Sequence, residues 1–128
     1  MFNSSIRNNI TFQSDSENID EIKFNEVIKL AGLTDLIKNK EEKEFGSVGE
    51  FGNKVSGGQR QKIGIARALY SNRSILIFDE STNSMDHLTA NKIVDQIYKL
   101  KDKTIIFITH SNDLAKKFDE IYILKNKK

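Results

Sequence analysis

The chain has 128 residues, 38% hydrophobic and 30% charged, which fits one globular domain, or part of one, with a real core. Its net charge of +2 excludes a strong polyanion-binding field, and the absence of cysteine excludes disulfides, thiol chemistry and cysteine metal sites. No run approaches the roughly 20 apolar residues of a membrane span, and no basic-then-apolar leader opens the chain.

Phe2, Ile6 and Ile10 recur at intervals of four, so a helical turn is possible near the start. Residues 13–20 are polar and read as a loop or a helix lead-in. Ile22, Val27, Ile28, Ala31, Leu33, Leu36 and Ile37 recur at threes and fours, which predicts two short amphipathic helices broken near Gly32. Residues 38–45 form a charge run expected on a solvated surface, and residues 46–52 a glycine-punctuated loop. After Ser56 the apolar positions Ile63, Ile65, Ala66, Leu69 and Tyr70 predict a helix ending near Ser71 and Asn72.

Ile75-Leu76-Ile77-Phe78 is a continuous apolar run, which predicts a strand covered on both faces, ending in Asp79-Glu80. Asp86 is placed to cap a helix with the stripe Ala90, Ile93, Val94, Ile97 and Leu100. Residues 104–109 predict a second buried strand ending at His110, followed by a short helix over 112–117. Ile121-Tyr122-Ile123-Leu124 predicts a third strand, and the basic tail 125–128 a solvated end. The second half therefore alternates strand and helix, the α/β pattern with a parallel sheet. In such sheets ligands sit at the carboxyl ends of strands, where Asp79, Glu80 and His110 fall.

Four stretches have the residue types for chemistry. Ser56 can cap a helix, and Gly57 and Gly58 leave bare backbone that something can approach. A helix start with unpaired N–H groups attracts anions. From that stretch alone, a capped turn and an anion site are equally supported. Asp79 and Glu80 can hold a metal and activate water, or can simply open a loop. His110 alone reads as structural, and His87 as surface. Gln59 and Arg60 face solvent or a neighbouring domain.

The combination is far more specific than its parts. Val55–Gln61, with valine for the usual leucine, resembles the signature of the ATP-binding cassette (ABC) nucleotide-binding domains. Residues 75–80 resemble the Walker B strand with its following glutamate, Asn83-Ser84-Met85-Asp86 the D-loop, and His110 the switch histidine. Ser47-Val48-Gly49-Glu50 and the segment from Phe2 to Ile10 resemble loops of exporter-type members. Phe51 stands where exporters often have arginine, and Thr109-His110-Ser111 replaces Ala-His-Arg. No G-x-x-x-x-G-K-[ST] occurs in the chain. The Walker A loop, the adenine-stacking aromatic and the Q-loop glutamine are expected to precede Met1.

The resemblance implies an α/β, partial P-loop NTPase-like ABC ATPase domain. Residues 1–72 would be the helical (signature) subdomain and residues 73–128 the C-terminal half of the catalytic core, with a mainly parallel βαβ arrangement. It implies ATP and Mg²⁺ as ligands and ATP hydrolysis coupled to export across a membrane. Glu80 and His110 would be catalytic, Asp79 would hold the metal, and Ser56, Gly57, Gly58, Gln59 and Asp86 would contact nucleotide. The partners implied are a second nucleotide-binding domain, docked head to tail, and a transmembrane domain, at the cytoplasmic face of the cell membrane, with no nucleic acid. Without Walker A, the chain by itself is expected to hydrolyse ATP negligibly. The alternatives are a non-catalytic partner or gene remnant, and a soluble ABC ATPase of DNA repair or translation. The exporter-like loops and the weak net charge argue against the last.

Overall fold

The computed structural model describes residues 1–12, 19–39 and 46–124. Residues 13–18 of the loop predicted over 13–20, residues 40–45 of the charge run predicted over 38–45, and the basic tail at 125–128 lie outside the described residues.

The first half is helical. Helix α1 (Ile6–Thr11) begins at Ser5, whose hydroxyl accepts from the N–H of Asn8. Helices α2 (Glu21–Leu30) and α3 (Thr34–Asn39) are separated at Gly32, which adopts φ 64 and lets the chain turn. Asp20 caps α2. A short 3₁₀ turn (Glu50–Gly52) leads to the longest helix, α4 (Gly57–Tyr70). Both α1 and α2 pack on α4, burying Ile6, Ile10, Phe24, Val27 and Ile28 against Ile63, Ile65, Ala66 and Leu69. Each of these side chains larger than alanine stabilises the fold by about 1.5–3 kcal/mol through the apolar surface it removes from water.

Strand β1 (Ile75–Asp79), helix α5 (His87–Tyr98) and strand β2 (Thr104–Ile108) form one βαβ unit. The strands are parallel, with Ile75 opposite Thr104 and Asp79 opposite Ile108. Leu76 and Phe78 join the same core as Ile63, Ile93 and Ile97, so the core runs without a break from the helical half into the sheet. A smaller cluster of Ala90, Val94 and Leu114, with Phe107 and Phe118 against it, seats α6 (Asn112–Ala115).

Three expectations are corrected. The strands are covered on one face, not both: Leu76 and Phe78 are buried, whereas Ile75 and Ile77 are 58% and 62% exposed and Ile106 and Ile108 also face outward. Core residues of α4 and α5 cover the inner face, and no described element covers the outer one. The third strand does not form: residues 121–124 join no strand and are exposed, Leu124 almost completely. An apolar run becomes a strand only where a neighbouring strand offers its ladder, and here the described sheet has two strands. The helix predicted over 112–117 ends at Ala115.

Candidate functional site

The start of α4 is built by a reciprocal cap. The Gln59 N–H donates to the Ser56 hydroxyl at 3.2 Å, and the Ser56 N–H donates to Gln59 Oε1 at 2.9 Å. Each bond satisfies a donor that the first turn would otherwise leave bare. Arg60 donates to the carbonyls of Gly52 and Val55, fixing the turn that delivers the chain to the cap. Arg60 is thus tied to its own loop. Beside it, Phe51 is 89% exposed and holds φ 51.

Gly57 and Gly58 meet residues 84 and 85. A Cβ on Gly57 would lie 3.3 Å from the Ser84 side chain, and one on Gly58 would lie 2.9 Å from the Ser84 carbonyl oxygen. Close approach therefore explains the glycines in part: the group that approaches is the chain's own loop after β1.

That loop begins with Glu80, in the left-handed region at φ 44, and its N–H donates to the carbonyl of Ile108 across the sheet. The Glu80 carboxylate is fixed from two sides. Oε2 accepts from Asn83 Nδ2 at 2.9 Å, and Oε1 lies 2.6 Å from His110 Nε2. The two residues come from the ends of adjacent parallel strands, as the βαβ reading requires, while the histidine remains largely open to solvent. Asp79, the last residue of β1, is exposed. Asp86 caps α5, its carboxylate accepting from the Thr89 N–H at 2.9 Å. The Thr89 hydroxyl, with the Thr89 N–H, holds Asp86 below the usual carboxylate range.

Of the residues singled out in the sequence, Glu80 and His110 are in contact, and Ser56, Gly57, Gly58 and Gln59 share the α4 start that packs on the loop after β1. Asp79 lies beside Glu80 in the chain. Asp86 is engaged in its own cap. Sequence reasoning missed Asn83, although its spacing of three from Glu80 suits a turn contact, and it missed Gln61, whose amide also reaches this loop. Among the described residues no three His, Cys, Asp or Glu side chains converge as a metal cage. Mg²⁺ needs no such cage: it keeps several waters and takes one or two carboxylates beside substrate phosphates, which the single open carboxylate of Asp79 fits.

The two exporter-like segments also meet. Ser5 and Ser47 form an antiparallel bridge, the N–H of Val48 donates to the carbonyl of Ser4, and that of Ile6 to the carbonyl of Gly46. Buried Asn9 ties the Phe2 backbone by both its amide groups, and Arg67 of α4 donates to the Asn9 carbonyl at 2.6 Å.

A capped glycine helix start packed on the loop after β1, and a carboxylate–histidine pair at the ends of two parallel strands, define part of an α/β domain on a βαβ frame. Residues 2–83 match the family described as ABC transporter, and the chain belongs to that family. It is 44% identical over 124 residues to the lactococcin-G-processing and transport ATP-binding protein LagD of Lactococcus lactis subsp. lactis, covering 96% of this chain and 17% of that protein. It is 39% identical over 127 residues to the alpha-hemolysin translocation ATP-binding protein HlyB of Escherichia coli O157:H7, covering 98% of this chain and 18% of that protein. A solved bacterial Atm1-family ABC exporter with ATP bound superposes with a TM-score of 0.81 at 30% identity, over 89% of this chain and 20% of the exporter chain. The chain thus spans about a fifth or less of the length of the proteins it matches. The fold is that of part of an ABC ATPase domain, with the helical half preceding a parallel βαβ unit.

Proposed function

We propose that this chain forms the signature-bearing part of the nucleotide-binding domain of an ABC exporter, where ATP hydrolysis drives transport across a membrane. The observation that carries the reading is the Glu80–His110 contact at the strand ends, 2.6 Å across, with the capped start of α4 packed on the loop that Glu80 begins. Residues 1–72 are assigned to the helical subdomain and residues 73–128 to the second half of the catalytic core. Movement of cargo is assigned to a transmembrane domain, with this chain at its cytoplasmic face, as the exporter family implies. No helix among the described residues is long and apolar enough to cross a membrane.

The chemistry follows from charge and position. Ser56, Gly57 and Gly58 present a hydroxyl, first-turn N–H groups and the positive end of α4 to the γ-phosphate of ATP held by a partner domain. Gln59 acts by holding Ser56. Asp79 would hold Mg²⁺ through water, and the ion, when bound with ATP, neutralises charge on the phosphate oxygens. Glu80 orients the attacking water and takes its proton. His110 donates a hydrogen bond to the γ-phosphate and keeps the Glu80 carboxylate in place. Asp86 fixes the α5 end of the loop that joins the two faces. Positioning and charge stabilisation supply most of the rate in phosphoryl transfer, and each of these residues acts through one or the other.

The test is photolabelling with azido-ATP, using the chain alone and the chain mixed with a complete nucleotide-binding domain. The expected result is little labelling alone, labelling in the mixture, and competition by ATP but not AMP. Substantial ATP turnover by the chain alone, abolished by Glu80→Gln, would overturn the shared-site reading. So would a mixture that labels no better than the chain alone.

A further inference from the structure

Gln61 lies just past the first turn of α4, and its half-buried side chain reaches the loop after β1. Nε2 donates to the Glu80 carbonyl at 3.3 Å, and Oε1 accepts from the Ser84 N–H at 2.8 Å. A primary amide holds a donor and an acceptor in one plane, as a peptide group does. Two bonds of opposite polarity therefore fix both ends of a five-residue loop at once and fix which way the amide faces. The loop's own backbone bonds run from the Asn83 N–H to the Glu80 carbonyl and from the Met85 N–H to the Thr82 carbonyl. Gln61 bridges the remaining span from Glu80 to Ser84.

Glu80 needs such support. Its φ of 44 lies in the left-handed region, which a side chain with a Cβ occupies only where its surroundings over-determine it. The same backbone turn brings the carboxylate to Asn83 and His110. Ser84, at the loop's far end, presses on Gly57 and Gly58. The loop is thus clamped to α4 by packing at one point and by hydrogen bonds at two.

We propose that Gln61 is a positioning residue for Glu80: its amide holds the 80–84 backbone in the turn that aims the carboxylate at His110. Resting on the reading of Glu80 as the water-orienting group, the consequence is mechanical. Any shift of the α4 start, where the partner's phosphate would bind, is passed through one side chain to the residue acting on this domain's own nucleotide.

The test uses the 128-residue chain, isotopically labelled, as wild type, Gln61→Met and Gln61→Glu. Methionine keeps the stem and its packing but makes neither bond. Glutamate keeps the acceptor for Ser84. In Gln61→Met the Ser84 amide is expected to exchange with solvent about tenfold faster, the loss of roughly one hydrogen bond. The His110 ring signals should move as well, while the amides of Ile63 to Leu69 keep their rates. Gln61→Glu should return the Ser84 rate toward wild type. Unchanged Ser84 exchange in Gln61→Met overturns the proposal. So does a loosened Ser84 with unmoved His110 signals, or a parallel acceleration of the helix amides in both variants. No nucleotide enters these measurements, so a failure of the ATP reading in photolabelling stays separate from a failure here.

Discussion

A Cβ on Gly58 would stand 2.9 Å from the Ser84 carbonyl oxygen, a backbone atom that cannot swing aside. Gly64, six residues further along the same helix, has nothing within 4 Å of the equivalent position. The two glycines should therefore answer alanine with opposite signs. Gly58→Ala is expected to destabilise by about 1–3 kcal/mol, the usual cost of forcing atoms into a packed contact. Gly64→Ala should stabilise by about 0.5–1 kcal/mol, because alanine loses less conformational freedom in a helix. Urea unfolding of both variants checks the pair, and equal signs would refute the packing account.

The faces of the sheet make a second contrast. Phe78 is 3% exposed and sits in the core, and Ile77, its neighbour in the chain, is 62% exposed on the outer face. Phe78→Ala should cost about 3–5 kcal/mol. Ile77→Thr should change stability by no more than about 0.5 kcal/mol, as for other exposed positions, and should lessen self-association by breaking the apolar patch. Light scattering and urea midpoints report on the two effects separately.

Glu80 carries strain that glycine would relieve. Glu80→Gly removes the left-handed penalty of about 1–2 kcal/mol, offset in part by the greater freedom of glycine in the unfolded chain and by the lost Asn83 contact. The expected outcome is a chain as stable as wild type or up to about 1 kcal/mol more stable, with its proposed chemistry gone. A variant markedly less stable would mean that the carboxylate contacts outweigh the strain.

Asp86 gives a pH dependence with a defined sign. Its folded-state pKa is depressed by Thr89, so its contribution is complete above the unfolded value of about 3.9 and is lost as pH falls through the lower folded value. Asp86→Asn keeps a capping oxygen but cannot titrate. The difference in urea midpoint between wild type and Asp86→Asn should be constant from pH 7 down to about 5 and should shift against wild type below about pH 4. A difference that stays flat to pH 3 would contradict the assignment.

Much of this was legible in local patterns. Ser56 and Asp86 announced their helices because a cap acts within three residues, and the stripe from Ile63 to Leu69 repeats with the helical period. The pairing of Glu80 with His110 was legible through topology, since a βαβ unit brings the ends of its two strands side by side. The outer face was misread because a continuous apolar run records what could be buried, not which element covers it. Ile121-Tyr122-Ile123-Leu124 failed as a strand for a related reason: strand propensity cannot supply a neighbouring ladder. The contacts of Gln61 left no trace, because its bonds span 19 and 23 residues and obey no period. The left-handed turn at Glu80 was equally hidden, since glutamate gives no sign of such a backbone.

The cap at Ser56 has one more consequence. A serine hydroxyl has one proton and two lone pairs, and the N–H of Gln59 occupies a lone pair. Folding therefore fixes where the oxygen sits without using its proton. An anion arriving at the helix start would meet a donor already anchored, with only a bond rotation left to settle rather than a whole side chain to order. Threonine would keep that arrangement. Alanine would lose the cap and the donor in one step, so the proposed recognition and the integrity of the helix start share a single oxygen.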